Sequence, residues 1–429
     1  MKELPVRSHV RGLYTLSPLF VFFLLYVLVS VAAGDFYKMP VTVAFLAASV
    51  WACCISRPKR LAGRLERFSL GAAHRNIMLM VWIFILAGAF AAAAKSIGAV
   101  ESMVNLTLAV LPPQMLPAGI FLAACLISLS IGTSVGTIVA LMPLAAGMAE
   151  RAGLALPLMA GVVVGGAFFG DNLSFISDTT VAATRTQGCR MQDKFFANVR
   201  MVLPAALLVM GYYALLGQQV QAVAEPAAVQ WVRVLPYLLV LGAAVAGVDV
   251  MVVLVMGIAT TGLLAAAAPE LSTTDWISAM GQGIGGMGEL IMVTLLAGGM
   301  LELIRYNGGL GYIIRLLMAR VRGRRGAELC IALLAALANV CTANNTVAIV
   351  TVGPLAQRIA ARYGIPAPRS AGLLDTSSCV VQGLLPYGAQ LLMGSALAGI
   401  STLQIIPFLY YPVVMGVLVL GNIALSRCR

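Results

Sequence analysis

The sequence predicts an all-α, polytopic membrane protein of about 10–12 spans, with two inverted repeats and broken or re-entrant helices. Three observations predict it. Of 429 residues, 61% are hydrophobic and only 10% are charged, too little charge to cover a soluble protein of this length. Two stretches 211 residues apart share an ungapped pattern of Pro, Gly and Arg. Polar runs interrupt the apolar stretches at matching places in both halves.

The spans come first. A helix needs about 20 apolar residues to cross the hydrocarbon core. Such stretches lie at roughly 14–33, 39–56, 77–94, 118–132, 199–216, 232–247, 250–268, 290–304, 329–341 and 404–425, and the mean hydropathy is +0.96. No large soluble domain fits between them. The first stretch follows Lys2, Arg7 and Arg11; its length and the lack of a small-residue cleavage site read as a span rather than a leader.

The net charge of +12 is spread through short loops, as cytoplasmic Lys and Arg are, and forms no nucleic-acid face. Eight cysteines occur without a CxxC pair, and the two histidines, His9 and His74, sit in basic segments. Neither a zinc site nor a disulfide framework follows. HExxH is absent, Phe168-Phe169-Gly170-Asp171 lacks the first glycine of GxGD, and no Walker lysine follows the glycines of 283–288. The chain therefore reads as a transporter and not an enzyme, without a cofactor.

The repeat is next. Residues 139–161 and 350–372 match at ten of 23 positions, among them Pro143/Pro354, Arg151/Arg362, Gly153/Gly364, Pro157/Pro368 and Gly161/Gly372. Upstream, Leu86-Ala87-Gly88 meets Leu296-Ala297-Gly298, and Lys95 meets Arg305. The duplication covers roughly 70–200 and 280–410. Its loops swap charge. Segment 57–76 holds Arg57, Lys59, Arg60, Arg64, Arg67 and Arg75, against Glu270 and Asp275 in its partner. Segment 185–200 holds Arg185, Arg190, Lys194 and Arg200, against none, while Arg320, Arg322, Arg324 and Arg325 face an uncharged partner. That exchange is what inverted topology produces under the positive-inside rule. The organisation expected is an N-terminal hairpin and basic cytoplasmic loop (1–69), repeat 1 (70–216), linker spans (217–279) and repeat 2 with a C-terminal span (280–429). Both termini are expected in the cytoplasm of a bacterial cell, with the chain multi-pass in the inner membrane. A homodimer is left open.

Polar breaks carry the chemistry. Gly132-Thr133-Ser134-Val135-Gly136-Thr137 aligns with Ala343-Asn344-Asn345-Thr346-Val347-Ala348, so Thr133 meets Asn344 and Ser134 meets Asn345. Polar groups at matched places in inverted copies converge on one central site, although a hydroxyl can also bond back to its own helix and an Asn can join neighbouring helices. The second run, Gly170 to Thr180, holds Asp171, Asn172, Ser174, Ser177, Asp178 and Thr179. Its partner region holds Asp375, Thr376, Ser377, Ser378 and Cys379, then Gln382 and Pro386-Tyr387-Gly388. Ionisable groups at membrane depth mark ion or substrate pathways, and carboxylates among hydroxyl and amide oxygens suit a hard cation. Asp171 and Asp178, seven apart, share a face if that segment is helical; Asp178 also suits a helix cap. Asp249, within GVDVMVVLVMG, is a proton-handling group or a partner for a basic residue. Glu289 ends a glycine-rich run and is a candidate for gating or binding, and with Asp171, Asp178 and Asp249 for proton coupling. Glu302 and Arg305 have the spacing of an ordinary helix pair.

GDNLSFISDTT, followed by ATRTQG and DKF, resembles the signature of the NhaC-type sodium/proton antiporter family, as do TSVGTIVALMP and TANNTVAIV. The resemblance covers about 70–420. Asn172 and Phe175 depart from the Lys and Pro of better-known members, a form similar to a subgroup with amino-acid substrates. The resemblance implies cation-coupled transport of Na⁺ and H⁺, with a cation- or proton-coupled amino-acid transporter as the alternative. A buried carboxylate holds a proton or a cation, but not both comfortably. Competition at Asp171 or Asp178 would thus couple the two fluxes.

Overall fold

Helices in this chain begin and end where glycine, proline and polar residues punctuate the apolar runs. The computed structural model describes residues 9–32, 40–57, 60–174, 177–218, 228–268, 272–318, 321 and 323–426. Lys2, Arg7, Lys59, Phe175, Glu270, Arg320 and Arg322, named above, lie outside the described residues. Among the described residues every regular element is helical.

The first half runs α1 (His9–Ala32), α2 (Val41–Ile55), α3 (Leu61–Ala72), α4 (Arg75–Ser96), α5 (Ala99–Val110), α6 (Leu116–Ile131), α7 (Ser134–Ala152), α8 (Leu156–Leu173), α9 (Asp178–Gln187) and α10 (Met191–Gly217). The second runs α11 (Trp231–Val245), α12 (Val250–Ala267), α13 (Thr273–Gly286), α14 (Gly288–Tyr306), α15 (Gly309–Met318), α16 (Gly323–Thr342), α17 (Asn345–Arg362), α18 (Ala367–Leu384), α19 (Ala389–Ala398), α20 (Thr402–Ile405) and α21 (Tyr410–Leu425). Among the described residues, seven helical stretches, plus one pair bent by 100°, are long and apolar enough to cross a membrane, and six shorter apolar helices accompany them.

Packing follows an internal twofold. Helix α3 lies on α14, and α13 on α4; α2 reaches α14, and α12 reaches α4; α9 packs on α17, and α19 on α7. Contacts exchanged in this way between unlike elements are what twofold symmetry produces. Glycine enforces two of these crossings. A Cβ on Gly71 would sit 2.5 Å from the Gly298 carbonyl oxygen, and one on Gly88 2.5 Å from that of Gly283. The matched charge exchange between loops makes the two copies inverted. Correspondence in packing thus reaches α1–α3 and α11–α13, beyond the stretch where sequence identities are visible.

Large apolar side chains such as Phe20, Leu24, Leu207, Val255, Val417 and Leu420 are exposed around the perimeter, where lipid tails replace water. Helix α13 has no buried residue. At the centre, every residue of α8 from Met159 to Leu173 is buried, as expected of a helix surrounded by protein. Helix α18 buries most of its length beside it.

Candidate functional site

Four interruptions bring backbone and polar side chains to the centre. Helix α6 ends at Gly132, whose φ of 74° is left-handed; Thr133 is then extended, and α7 starts at Ser134. The matching position of the second half, Ala343, has φ 48°. Extended Asn344 follows and caps α17, its Oδ1 accepting the Val347 N–H at 2.9 Å. Helix α8 ends at Leu173 and α9 begins at Asp178, with Ser174 and Ser177 both outside the helices, and α18 and α19 are separated at 385–388. The run Asp375–Cys379 stays helical, unlike the interruption expected there. The Thr376 hydroxyl bonds to the Gly372 carbonyl and the Ser378 hydroxyl to that of Asp375, so polarity is absorbed within the helix. The helix ends only after Leu384, where extended Leu385 precedes Pro386.

Asp171, in the last turn of α8, is buried against the N-terminus of α7. The Ser134 N–H donates to Oδ1 at 3.1 Å, and the Ser134 hydroxyl to Oδ2 at 2.5 Å. A helix N-terminus favours such a negative group. Two glutamines extend the network into the second half. Gln390 Nε2 donates to Ser134 Oγ at 2.9 Å; Gln382 Nε2 donates to Gln390 Oε1 at 3.0 Å and to the Ala343 carbonyl at 3.2 Å. The two helix breaks are therefore joined by Gln382, Gln390 and Ser134, ending on Asp171. Thr179 Oγ1 donates to the Asp171 carbonyl at 3.0 Å. Among the described residues, no basic side chain lies within ion-pairing distance of Asp171.

The other buried carboxylate, Asp375 of α18, is paired. Lys194 Nζ lies 2.5 Å from Asp375 Oδ2, 2.8 Å from the Asn172 carbonyl and 2.6 Å from Thr180 Oγ1. Asn198 Nδ2 donates to the same carbonyl at 3.1 Å and to Asp375 Oδ2 at 3.3 Å. Lys194, counted above with the loop charges, is only 1% exposed. Its neighbours Arg190 and Asp193 pair with each other at the surface.

The remaining candidates divide. Thr133 accepts the back-bonded hydroxyl of buried Thr137 through its carbonyl, 3.2 Å away. Ser174 is buried at the end of α8, and Ser177 precedes α9, its Oγ 2.9 Å from Thr179 Oγ1. Asn345 is buried, with Nδ2 3.7 Å from Cys379 Sγ, and Thr346 donates its N–H to Asn345 Oδ1. Ser377 Oγ and Gln382 Oε1 are buried without a hydrogen-bond partner among the described residues, oxygens a cation could use. Asp178 is exposed at the start of α9; it and Asp171 lie on different helices, so the heptad relation between them does not hold. Asp249 is exposed and caps α12 through the Met251 N–H at 2.9 Å, in place of a buried partner for a basic residue. Glu289 is exposed beside a cavity of about 460 Å³ that Ser395 and Ser401 also line. Glu302 and Arg305 pair at 2.7 Å.

A larger cavity, about 770 Å³, is lined by Lys95, Glu101, Pro143, Glu150 and Arg151. A small one of about 70 Å³ reaches Thr342, Ala343 and Asn344 from His74 and Arg305. Asp171 lines none of these three cavities.

The profile of the Na⁺/H⁺ antiporter family matches residues 13–218 and again 217–426. The Na⁺/H⁺ antiporter NhaC of Bacillus subtilis is 26% identical over 78% of this chain and 80% of its own. NhaC of Alkalihalophilus pseudofirmus is 23% identical over 77% and 78%. Among solved structures, the YdaH transporter of Alcanivorax borkumensis superposes with a TM-score of 0.41 at 15% identity, covering 97% of this chain and 99% of that one.

Proposed function

The chain belongs to the Na⁺/H⁺ antiporter family, and from that premise we propose that it exchanges sodium for protons at Asp171 by alternating access across the bilayer. One observation carries the site: Asp171 is a buried carboxylate with no counter-cation among the described residues. An isolated buried charge is too costly to persist, so this carboxylate is neutralised by a proton or by a cation. The two compete for one place, and exchange follows when that place is opened to each side in turn.

The chain's own groups suit this task. Ser134 uses two donors on Asp171, whereas a carboxylate offers about four acceptor positions, so room remains for a proton or a cation. Gln390 aligns the Ser134 hydroxyl. The arginine-rich loops support a reading in which both chain ends face the cytoplasm and the wide cavity beside Glu101 and Glu150 opens on the opposite face. The NhaC relatives give no support to amino-acid cargo, so sodium/proton exchange is the reading retained.

Purified protein in proteoliposomes with an imposed pH gradient tests the site. Added sodium should dissipate the gradient with the wild type and fail to do so with Asp171→Asn. Undiminished sodium-dependent exchange by Asp171→Asn would remove Asp171 from the mechanism.

A further inference from the structure

Lys194 is placed against the habit of its residue type. A lysine in the first turn of a spanning helix ordinarily extends toward water; here it turns inward, 1% exposed. An ammonium has three donors, and they meet the Asp375 carboxylate, the Asn172 carbonyl and the Thr180 hydroxyl, all within 2.8 Å. A carboxylate, a carbonyl and a hydroxyl are the ligand types a hard cation takes.

The internal repeat shows that the fold does not need this pair. An offset of 211 carries Lys194 to Ile405 and Asp375 to Val164. Both equivalents are fully buried, and both border Gly394, whose Cβ would lie 3.2 Å from Val164 and 3.8 Å from Ile405. One copy thus joins its elements at this place with apolar contact, and the other with a buried ion pair. Apolar replacements of buried pairs are often as stable or more so, so stability alone does not account for the charges.

We propose that the Lys194 ammonium is a tethered internal cation filling a second cation site, made by Asp375, the Asn172 carbonyl and Thr180, and so leaves the transporter one free cation at Asp171. This inference rests on the sodium site assigned above. It makes Lys194 a determinant of how many ions are carried: with its charge in place Asp375 is satisfied from within, and without it the cage offers a carboxylate, a carbonyl and a hydroxyl to an ion from solution.

Equilibrium binding of radioactive sodium to purified protein at alkaline pH tests this. Saturation should double, from one ion per chain in the wild type to two in Lys194→Ala, and return to one in Lys194→Ala/Asp375→Asn. Lys194→Arg, which keeps the charge, should remain at one. If Lys194→Ala does not fold, Lys194→Thr keeps a polar group in the cage and should give the same doubling. A saturation of one in every folded charge-removing variant would reduce the pair to a structural link and overturn the proposal. Asp171→Asn separates the two readings, since it should lower saturation by one ion in either background. If it does not, the assignment of Asp171 fails, while the gain between wild type and Lys194→Ala still decides the role of Lys194.

Discussion

At the scale of single residues, the two buried carboxylates have been given opposite surroundings. Asp375 has an ammonium at 2.5 Å, and Asp171, among the described residues, has only the donors of Ser134. A hydrogen bond to a charged group is worth about 1.5–3 kcal/mol, and about 1.4 kcal/mol is a tenfold change in an equilibrium constant. Ser134→Ala removes the hydroxyl and keeps the backbone donor. The KM for sodium in reconstituted exchange should then rise roughly tenfold or more, with a smaller change in kcat; an unchanged KM would show that the hydroxyl does not touch the binding event. Asp171, Ser134 and Asp375 are legible in the sequence because carboxylates and hydroxyls stand out in apolar stretches. Lys194 is not, because it lies among Arg185, Arg190 and Arg200 and looks like one more loop charge; only tertiary structure turns it inward. Gln390 carries no charge to draw attention, yet the repeat offset pairs Thr179 with it and Asp171 with Gln382. Gln382 already stands in the polar run of the second half, and that offset was the signal that could have found Gln390 as well.

At the scale of elements, glycine marks where helices must approach, and its absence marks strain. Breaks at 132–133 and 343–344 fall where the matched polar runs put them, since Gly, Thr and Asn resist continuous helix there. The break after α18 falls later than its polar run because hydroxyls bonded to the preceding turn cost the helix little. Ala343, at φ 48°, occupies the left-handed position that Gly132 fills in the first copy. Ala343→Gly should raise stability in detergent by about 1 kcal/mol, read as a higher Tm. A lower Tm would mean that the methyl group's packing outweighs the strain. Gly88 and Gly281 make a second comparison. A Cβ on Gly88 meets the backbone of Gly283, whereas one on Gly281 meets nothing within 4 Å. Gly88→Ala should cost about 1–3 kcal/mol by forcing α4 from α13. Gly281→Ala should instead be neutral or gain up to about 1 kcal/mol from helix propensity. Equal thermal shifts for the two variants would contradict the crossing.

At the scale of the whole molecule, two inverted copies share one topology but not one set of cavities. Identity reveals the repeat only over roughly 70–200 and 280–410, because helices facing lipid are held to hydrophobicity rather than to particular residues; α1–α3 and α11–α13 correspond in packing all the same. On the face carrying Arg185 and Arg190, α9 is fastened to α17 and α18. Gln187 Nε2 donates to the Gly353 carbonyl at 2.9 Å, Ser370 Oγ donates to Gln187 Oε1 at 2.8 Å, and Thr186 packs on Gly353. In the other copy the end of α19, Ala396–Ala398, instead borders the cavity of about 770 Å³ with α7. Alternating access requires these two arrangements to trade places, so α9 must leave α17 once in every cycle. A covalent link should forbid that step. A Cβ on Gly353 would fall 2.5 Å from the Thr186 Cβ, and a disulfide needs about 3.5–4.5 Å between Cβ atoms, a relaxation of roughly 1–2 Å. Thr186→Cys/Gly353→Cys should therefore exchange sodium for protons when reduced, stop when oxidised, and recover on renewed reduction. Either single variant should be insensitive to the oxidant, which controls for the native cysteines. Sodium binding at Asp171 should survive oxidation if the cavity on the opposite face gives access, so binding without turnover is the expected signature. Continued exchange by the fully cross-linked protein would mean that α9 and α17 move as one body, and that access changes elsewhere in the fold.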